Sequence, residues 1–150
     1  MNTYAILELI PHRPPMALLD AVVEYGPEHL TARMTVSKGK LFTDADGAFP
    51  AWAGIELMAQ TIAAFGGLSS VALGEPAKIG FLLGTRRYDC QCARFPLDTV
   101  LTINARRLIL NNDGLGVFEC RIDSCVGAIC ANISVYQPDD PQRFVREAAT

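Results

Sequence analysis

The sequence predicts an α+β fold in which an antiparallel sheet wraps around one long central helix. Three observations carry that expectation. Residues 49–67 form an almost wholly apolar stretch, and Glu56 is its only charge; no Lys, Arg, Asp or His lies between Gly47 and Lys78. A surface helix would spread charges along one stripe, so this helix is expected to be buried nearly all round. Alternating, strand-like segments lie on both sides of it, two before and four after. Turn signals separate those segments at Gly26-Pro27, at Asn111-Asn112-Asp113-Gly114 and at Ser124–Gly127.

The elements follow in order. Residues 3–9 are compatible with a short helix that ends before Pro11. Pro-His-Arg-Pro-Pro, residues 11–15, is stiff and extended, because proline fixes φ and restricts its predecessor. Residues 17–25 and 30–37 pair as a hairpin. In the second, Leu30, Ala32, Met34 and Val36 alternate with Thr31, Arg33, Thr35 and Ser37, the mark of one buried face. Residues 38–48 are a polar loop. The apolar helix is expected from Ala51 to Phe65, with Gly66-Gly67 as its stop. Strands are expected over 78–90, 99–111, 116–123 and 128–137, and a polar tail from Asp139 onward. Strands before and after one apolar helix suggest the hot-dog arrangement. Long strands leave a sheet edge, which such domains commonly cover by dimerising.

Length and composition narrow the function classes. A chain of 150 residues with half of them hydrophobic and 19% charged fits a single domain, residues 1–150, with a real core. The net charge of −3 and the absence of a basic stripe argue against nucleic acid. The longest apolar run, residues 48–68, is interrupted by Pro50, Glu56, Gln60 and paired glycines, so no membrane span is expected. Nothing basic precedes the first apolar residues, so no signal peptide is expected. Five cysteines, an odd number without a C-x-x-C pair, read as reduced thiols in a cytoplasmic protein. Both histidines lie far upstream of them, so neither a metal site nor a cofactor is expected.

Glu56 is the leading candidate for chemistry. It has no ion-pair partner within its own helix, and burial favours the protonated form that a general acid needs. Gln60, one turn later on the same side, can orient that carboxyl through a hydrogen bond or serve as an ordinary helix residue. Pro50-Ala51 marks the helix start, where free amides near Ala51 and Trp52 can polarise a carbonyl. His12 is held by its neighbouring prolines and is a candidate base, whereas His29, in a turn, reads as solvated. Trp52 and Phe81 are candidate tunnel-lining residues.

Two segments carry a family resemblance. Ile-Pro-His-Arg-Pro-Pro-Met-Ala-Leu-Leu-Asp (10–20) resembles the N-terminal signature of 3-hydroxyacyl-acyl-carrier-protein dehydratases of the FabZ type. Pro50-Ala51, Glu56 and Ala59-Gln60 resemble that family's helix motif. The likeness is closer still to the ApeP-type proteins of aryl polyene clusters, through Ala51-Trp52 and Glu56-Leu57-Met58-Ala59-Gln60-Thr61-Ile62. Phe118-Glu119-Cys120 and Tyr136-Gln137-Pro138 extend it toward the C-terminus. The resemblance implies a dimeric enzyme in which a histidine removes the α-proton of a carrier-bound 3-hydroxyacyl thioester. A Glu helps the β-hydroxyl leave as water, giving a trans-2-enoyl thioester. It implies a homodimer or trimer of dimers, or a heteromer with a second FabZ-like subunit.

One departure stands out. The FabZ type takes its histidine from Gly-His-Phe-Pro-Gly, fourteen residues before the Glu, where this chain has Phe42. Ala51 also replaces a family glycine. Three readings stay open: a dehydratase with Glu56 as acid and His12 as substitute base, a partner subunit of a heteromeric dehydratase, or a thioesterase with Glu56 as base. Acyl carrier protein is acidic, so Arg86-Arg87 and Arg106-Arg107 are candidate docking cations, with one member of each pair expected on either face of its strand.

Overall fold

The computed structural model describes residues 3–78, 80–138 and 146–147. A short helix α1 (Ile6–Leu9) leads into the hairpin of β1 (Ala21–Tyr25) and β2 (His29–Thr35). The two-residue β3 (Phe49–Pro50) and a single 3-10 turn (Ala51–Ala53) precede the long helix α2 (Gly54–Ala72). Then follow β4 (Phe81–Cys90), the short β5 (Arg94–Phe95), β6 (Val100–Leu110), β7 (Leu115–Asp123) and β8 (Ile129–Tyr136). The tail expected from Asp139 onward lies outside the described residues, apart from Arg146 and Glu147.

Six strands form one antiparallel sheet in the order β1-β2-β6-β7-β8-β4. The alternation in β2 sets its register. Leu30, Ala32 and Met34 pair with Ala105, Ile103 and Leu101 of β6, and all six are fully buried. The opposite face carries polar partners, with Asn104 donating to Thr31 Oγ1 at 2.7 Å. Against the apolar face lies α2, whose Leu57 and Met58 are fully buried. Each such burial is worth about 1.5–3 kcal/mol. The helix lies mainly over β6 and β2 and touches β7 and β8 less. By length and composition Ala51–Ala72 could cross a membrane, but here it is the core helix of the sheet.

The helix does not stop at Gly66-Gly67. Gly67 instead permits a close crossing: a Cβ there would lie 1.9 Å from the carbonyl oxygen of Leu9, so only glycine lets α1 pack this close. The true stop is Gly74, at φ +70. Its N–H bonds the Val71 carbonyl at 3.0 Å and that of Glu75 bonds Ser70 at 2.8 Å, the paired closure of a Schellman motif. The first hairpin strand also starts later than expected, at Ala21. The residues before it serve the helix rather than the sheet, since Met16 and Leu18 bond the Gln60 side chain.

Candidate functional site

Gln60 organises the site. Its side chain is fully buried and makes three hydrogen bonds. Oε1 accepts from the Leu18 N–H at 2.9 Å, while Nε2 donates to the Met16 carbonyl at 2.6 Å and to Glu56 Oε1 at 2.9 Å. One turn of helix separates Gln60 from Glu56, so the amide reaches the carboxyl directly. The same amide ties the segment after His12 to the helix. A buried amide satisfied this fully fixes its neighbours, because any departure would strand polar atoms away from water.

His12 comes from the other side. Pro11 and Pro14 stiffen its backbone, and Arg13 pins it further. The Arg13 Nη1 donates to the carbonyls of Leu7 at 3.2 Å, Ile10 at 3.0 Å and His12 itself at 2.7 Å. The result is a His12 Nε2 that stands 3.7 Å from Glu56 Oε1. The two side chains are 26% and 24% exposed, so Glu56 is less enclosed than an all-round apolar helix suggested. The His12 Nδ1 is buried and has no hydrogen-bond partner among the described residues. Burial pushes the His12 pKa below 6.5, opposed by the Glu56 carboxylate and assisted by Arg13. At neutral pH the imidazole is therefore neutral and able to accept a proton.

Both groups line a cavity of about 910 Å³. It runs from them along the Ala59, Ala63 and Gly66 face of α2 and over Phe118 and Val135 of the sheet. Glu56, Ala59, Ala63 and Gly66 recur at three- and four-residue spacing, so they share one helix face. That spacing of small residues was a readable signal of the cavity wall. Phe81 also lines the cavity, as expected, but Trp52 does not. Trp52 is 65% exposed and meets the Phe42 ring edge-on at 5.7 Å.

The other sequence candidates are placed as follows. Ala51 is buried, and its N–H already donates to the Ala93 carbonyl at 2.9 Å. Its carbonyl accepts from the Tyr88 hydroxyl, which also takes a hydrogen bond from the Ile55 N–H. Tyr88 thus caps the start of the helix, and the Ala51 amide is engaged rather than free. Phe42 adopts a left-handed backbone, φ 74, and packs edge-on against Phe49 at 6.5 Å as well as against Trp52. Asp44 serves its own loop. Hydrogen bonds from the Ala48 and Asp46 amides, with Arg94 beside it, hold its carboxyl below the usual range. His29, expected in the turn, is instead the first residue of β2, with its Nε2 3.6 Å from Glu24.

Arg106 and Arg107 fall on opposite faces of β6, as expected, whereas the Arg86-Arg87 pair departs from simple alternation. Arg107 is a cavity-wall residue, bonded to Glu28 at 3.1 Å with its guanidinium 5.4 Å from the Phe65 ring centroid. Arg106 pairs with Glu119 at 3.0 Å outside the cavity. Arg87 pairs with Asp89. Arg86 is the extra residue of a β-bulge between Thr85 and Arg87, so simple alternation fails there.

Comparison with known proteins adds the following. No curated protein matches the sequence. One solved structure, the dehydratase heterocomplex ApeI:P from Xenorhabdus doucetiae, is similar at 28% identity and a TM-score of 0.90, covering 99% of this chain and 100% of that one. A sigma28-regulated virulence protein from Campylobacter jejuni is similar at 12% identity and a TM-score of 0.64, over 90% and 96% of the two chains. A hypothetical thioesterase with coenzyme A from Streptococcus pneumoniae matches at 16% identity and 0.57, over 79% and 90%. The last two, at such low identity, speak for the fold alone, and the fold is the hot-dog arrangement that the strand and helix order predicts. The family model described as ApeP dehydratase matches residues 4–146, nearly the whole chain, and the chain therefore belongs to the ApeP-like dehydratase family.

Proposed function

We propose that this chain dehydrates a (3R)-3-hydroxyacyl thioester, carried by acyl carrier protein, to the trans-2-enoyl thioester. His12 is the base and Glu56 the acid. The observation that carries this reading is the His12–Glu56 pair itself: one neutral imidazole and one carboxyl, 3.7 Å apart, at the end of a largely apolar cavity.

The geometry supports the following chemistry. The acyl chain lies along the Ala59–Gly66 face, with its thioester toward His12 and Glu56. The imidazole takes the α-proton, and the electron pair forms the double bond as the C3–O bond breaks. Glu56 delivers its proton to the departing hydroxyl, so water leaves. The pair ends with an imidazolium beside a carboxylate, 3.7 Å apart, and that proton crosses back to reset both groups. Gln60 holds the carboxyl in place throughout. With its N–H engaged by the Ala93 carbonyl, Ala51 takes no part in holding the thioester carbonyl.

In this reading the cofactor-free chain acts in the cytoplasm, within aryl polyene or related acyl assembly, and joins a second dehydratase subunit. The named heterocomplex of its similar structure supports that pairing. The test is to incubate the purified protein with 3-hydroxyoctanoyl thioester and follow enoyl absorbance. Enoyl formation that Glu56→Gln and His12→Ala both abolish is expected. Silence of the unmodified protein, or activity that survives both substitutions, overturns the reading.

A further inference from the structure

Most glycines of this chain have a local reason. Several adopt a positive φ, Gly54 passes under the Tyr88 hydroxyl, and Gly67 passes under the Leu9 carbonyl. Gly66 has neither reason. It lies inside α2, its φ is not positive, and a Cβ built on it would meet nothing nearer than Gln137 Nε2, at the ordinary contact distance of 3.8 Å. Glycine weakens a helix interior relative to alanine, because it has more backbone freedom to lose on folding. No close packing among the described residues offsets that loss.

What Gly66 borders is the cavity. From Glu56 the cavity follows α2 past Ala63 to Gly66 and continues to Ser69 and Ala72. At about 1.5 Å per residue, Gly66 lies about 15 Å along the axis from Glu56. Gln137 lines the same stretch and is held in place. Its N–H donates to the Gly114 carbonyl at 3.0 Å, and Gly114 packs against the Gln137 backbone with no room for a Cβ. The gap between the helix and Gln137 is therefore kept open from the helix side, by the side chain that Gly66 lacks.

We propose that Gly66 is a specificity-determining residue that opens the far part of the cavity, beside Ser69 and Ala72, to the tail of a long acyl chain. The inference rests on the reading of this cavity as the acyl site of a dehydratase, and it narrows the substrate class to chains of about hexadecanoyl length. The tail of a 3-hydroxyhexadecanoyl group, extended from Glu56, is long enough to pass Gly66, whereas that of a 3-hydroxyoctanoyl group ends well short of it. A leucine at this position leans toward the helix N-terminus, over Ala63, and fills the gap that the longer tail must cross. An alanine narrows the gap while restoring helix propensity.

The test reads binding rather than turnover. The purified protein is titrated with 3-hydroxyoctanoyl and 3-hydroxyhexadecanoyl pantetheine amides, in which a stable amide replaces the thioester, and affinity is measured by calorimetry. The unmodified protein is expected to hold the longer probe about a hundredfold more tightly or better, because the added methylenes are buried. Gly66→Leu is expected to weaken the longer probe about tenfold or more and to change the shorter one by less than about twofold. Gly66→Ala should weaken the longer probe by a smaller factor while raising the melting temperature by about 1–4 °C. A stabler fold with poorer long-chain binding is a combination that a merely structural glycine does not give. Unchanged circular dichroism verifies the fold of the leucine variant. An unmodified protein that holds the longer probe no better than the shorter overturns the proposal. So does a Gly66→Leu variant that keeps the longer probe, or one that loses both alike. A failed length effect leaves the His12–Glu56 chemistry standing, and a failed dehydration assay leaves the binding result readable.

Discussion

Two places in this chain could hold the base of a dehydration, and they differ in every property a base requires. Phe42 stands where the FabZ resemblance puts a histidine. There the chain has an aromatic ring, held edge-on between Phe49 and Trp52, with no proton to move. His12 stands on an extended segment distant in sequence, yet its imidazole reaches the cavity within 3.7 Å of Glu56. In the proposed reaction the contrast means that the base is supplied from a different element while the acid stays put. What makes His12 usable is its support: prolines on both sides, three carbonyls gathered by Arg13, and a downstream backbone tied to Gln60.

The comparison can be broken at several points. Glu56→Gln keeps the shape and removes the proton, so the rate of enoyl formation should fall by about 10³-fold or more, within the range a positioned acid supplies. His12→Ala should cost about 10²–10³-fold. In that background, Phe42→His should restore none of the loss, because its ring is packed among aromatics outside the cavity. Recovery of activity there would move the base back to the loop. Gln60→Ala should lower the rate about tenfold and destabilise the fold by about 1–3 kcal/mol, read by thermal melting, because it strands the Leu18 amide and frees the Glu56 carboxyl.

A pH profile sharpens the picture with the smallest perturbation. Burial lowers the His12 pKa below 6.5, and only the neutral imidazole accepts a proton. The acid limb of kcat/KM should therefore fall with a midpoint below 6.5 and vanish in His12→Ala. The same depression means that the unfolded chain binds this proton more readily. Its contribution to stability is thus complete above 6.5 and is lost as pH falls through the folded value.

Much of this architecture was legible because periodicity reports burial. The alternation in β2 located its buried face, and the charge-poor run located α2. The helix end is not legible, because Gly66-Gly67 and Gly74 look alike in sequence, yet Gly67 serves a close crossing and Gly74 a left-handed stop. Of the site, Glu56 and Gln60 were readable as a pair because one helical turn separates them. His12 could be singled out by its prolines, but its approach to Glu56 depends on long-range packing that no local pattern encodes. The exposure of Trp52, the engagement of the Ala51 amide and the turn of Arg107 into the cavity wall are likewise set by neighbours far off in sequence.

The central claim is that His12 and Glu56 act as one unit, and a double-mutant cycle on enoyl formation tests it most directly. Groups that work in a single concerted step lose nearly everything with the first substitution. The His12→Ala, Glu56→Gln double variant is expected to be no slower than the worse single variant, within about threefold. Losses that multiply across the two substitutions, or a His12→Ala variant as fast as the unmodified protein, would contradict it.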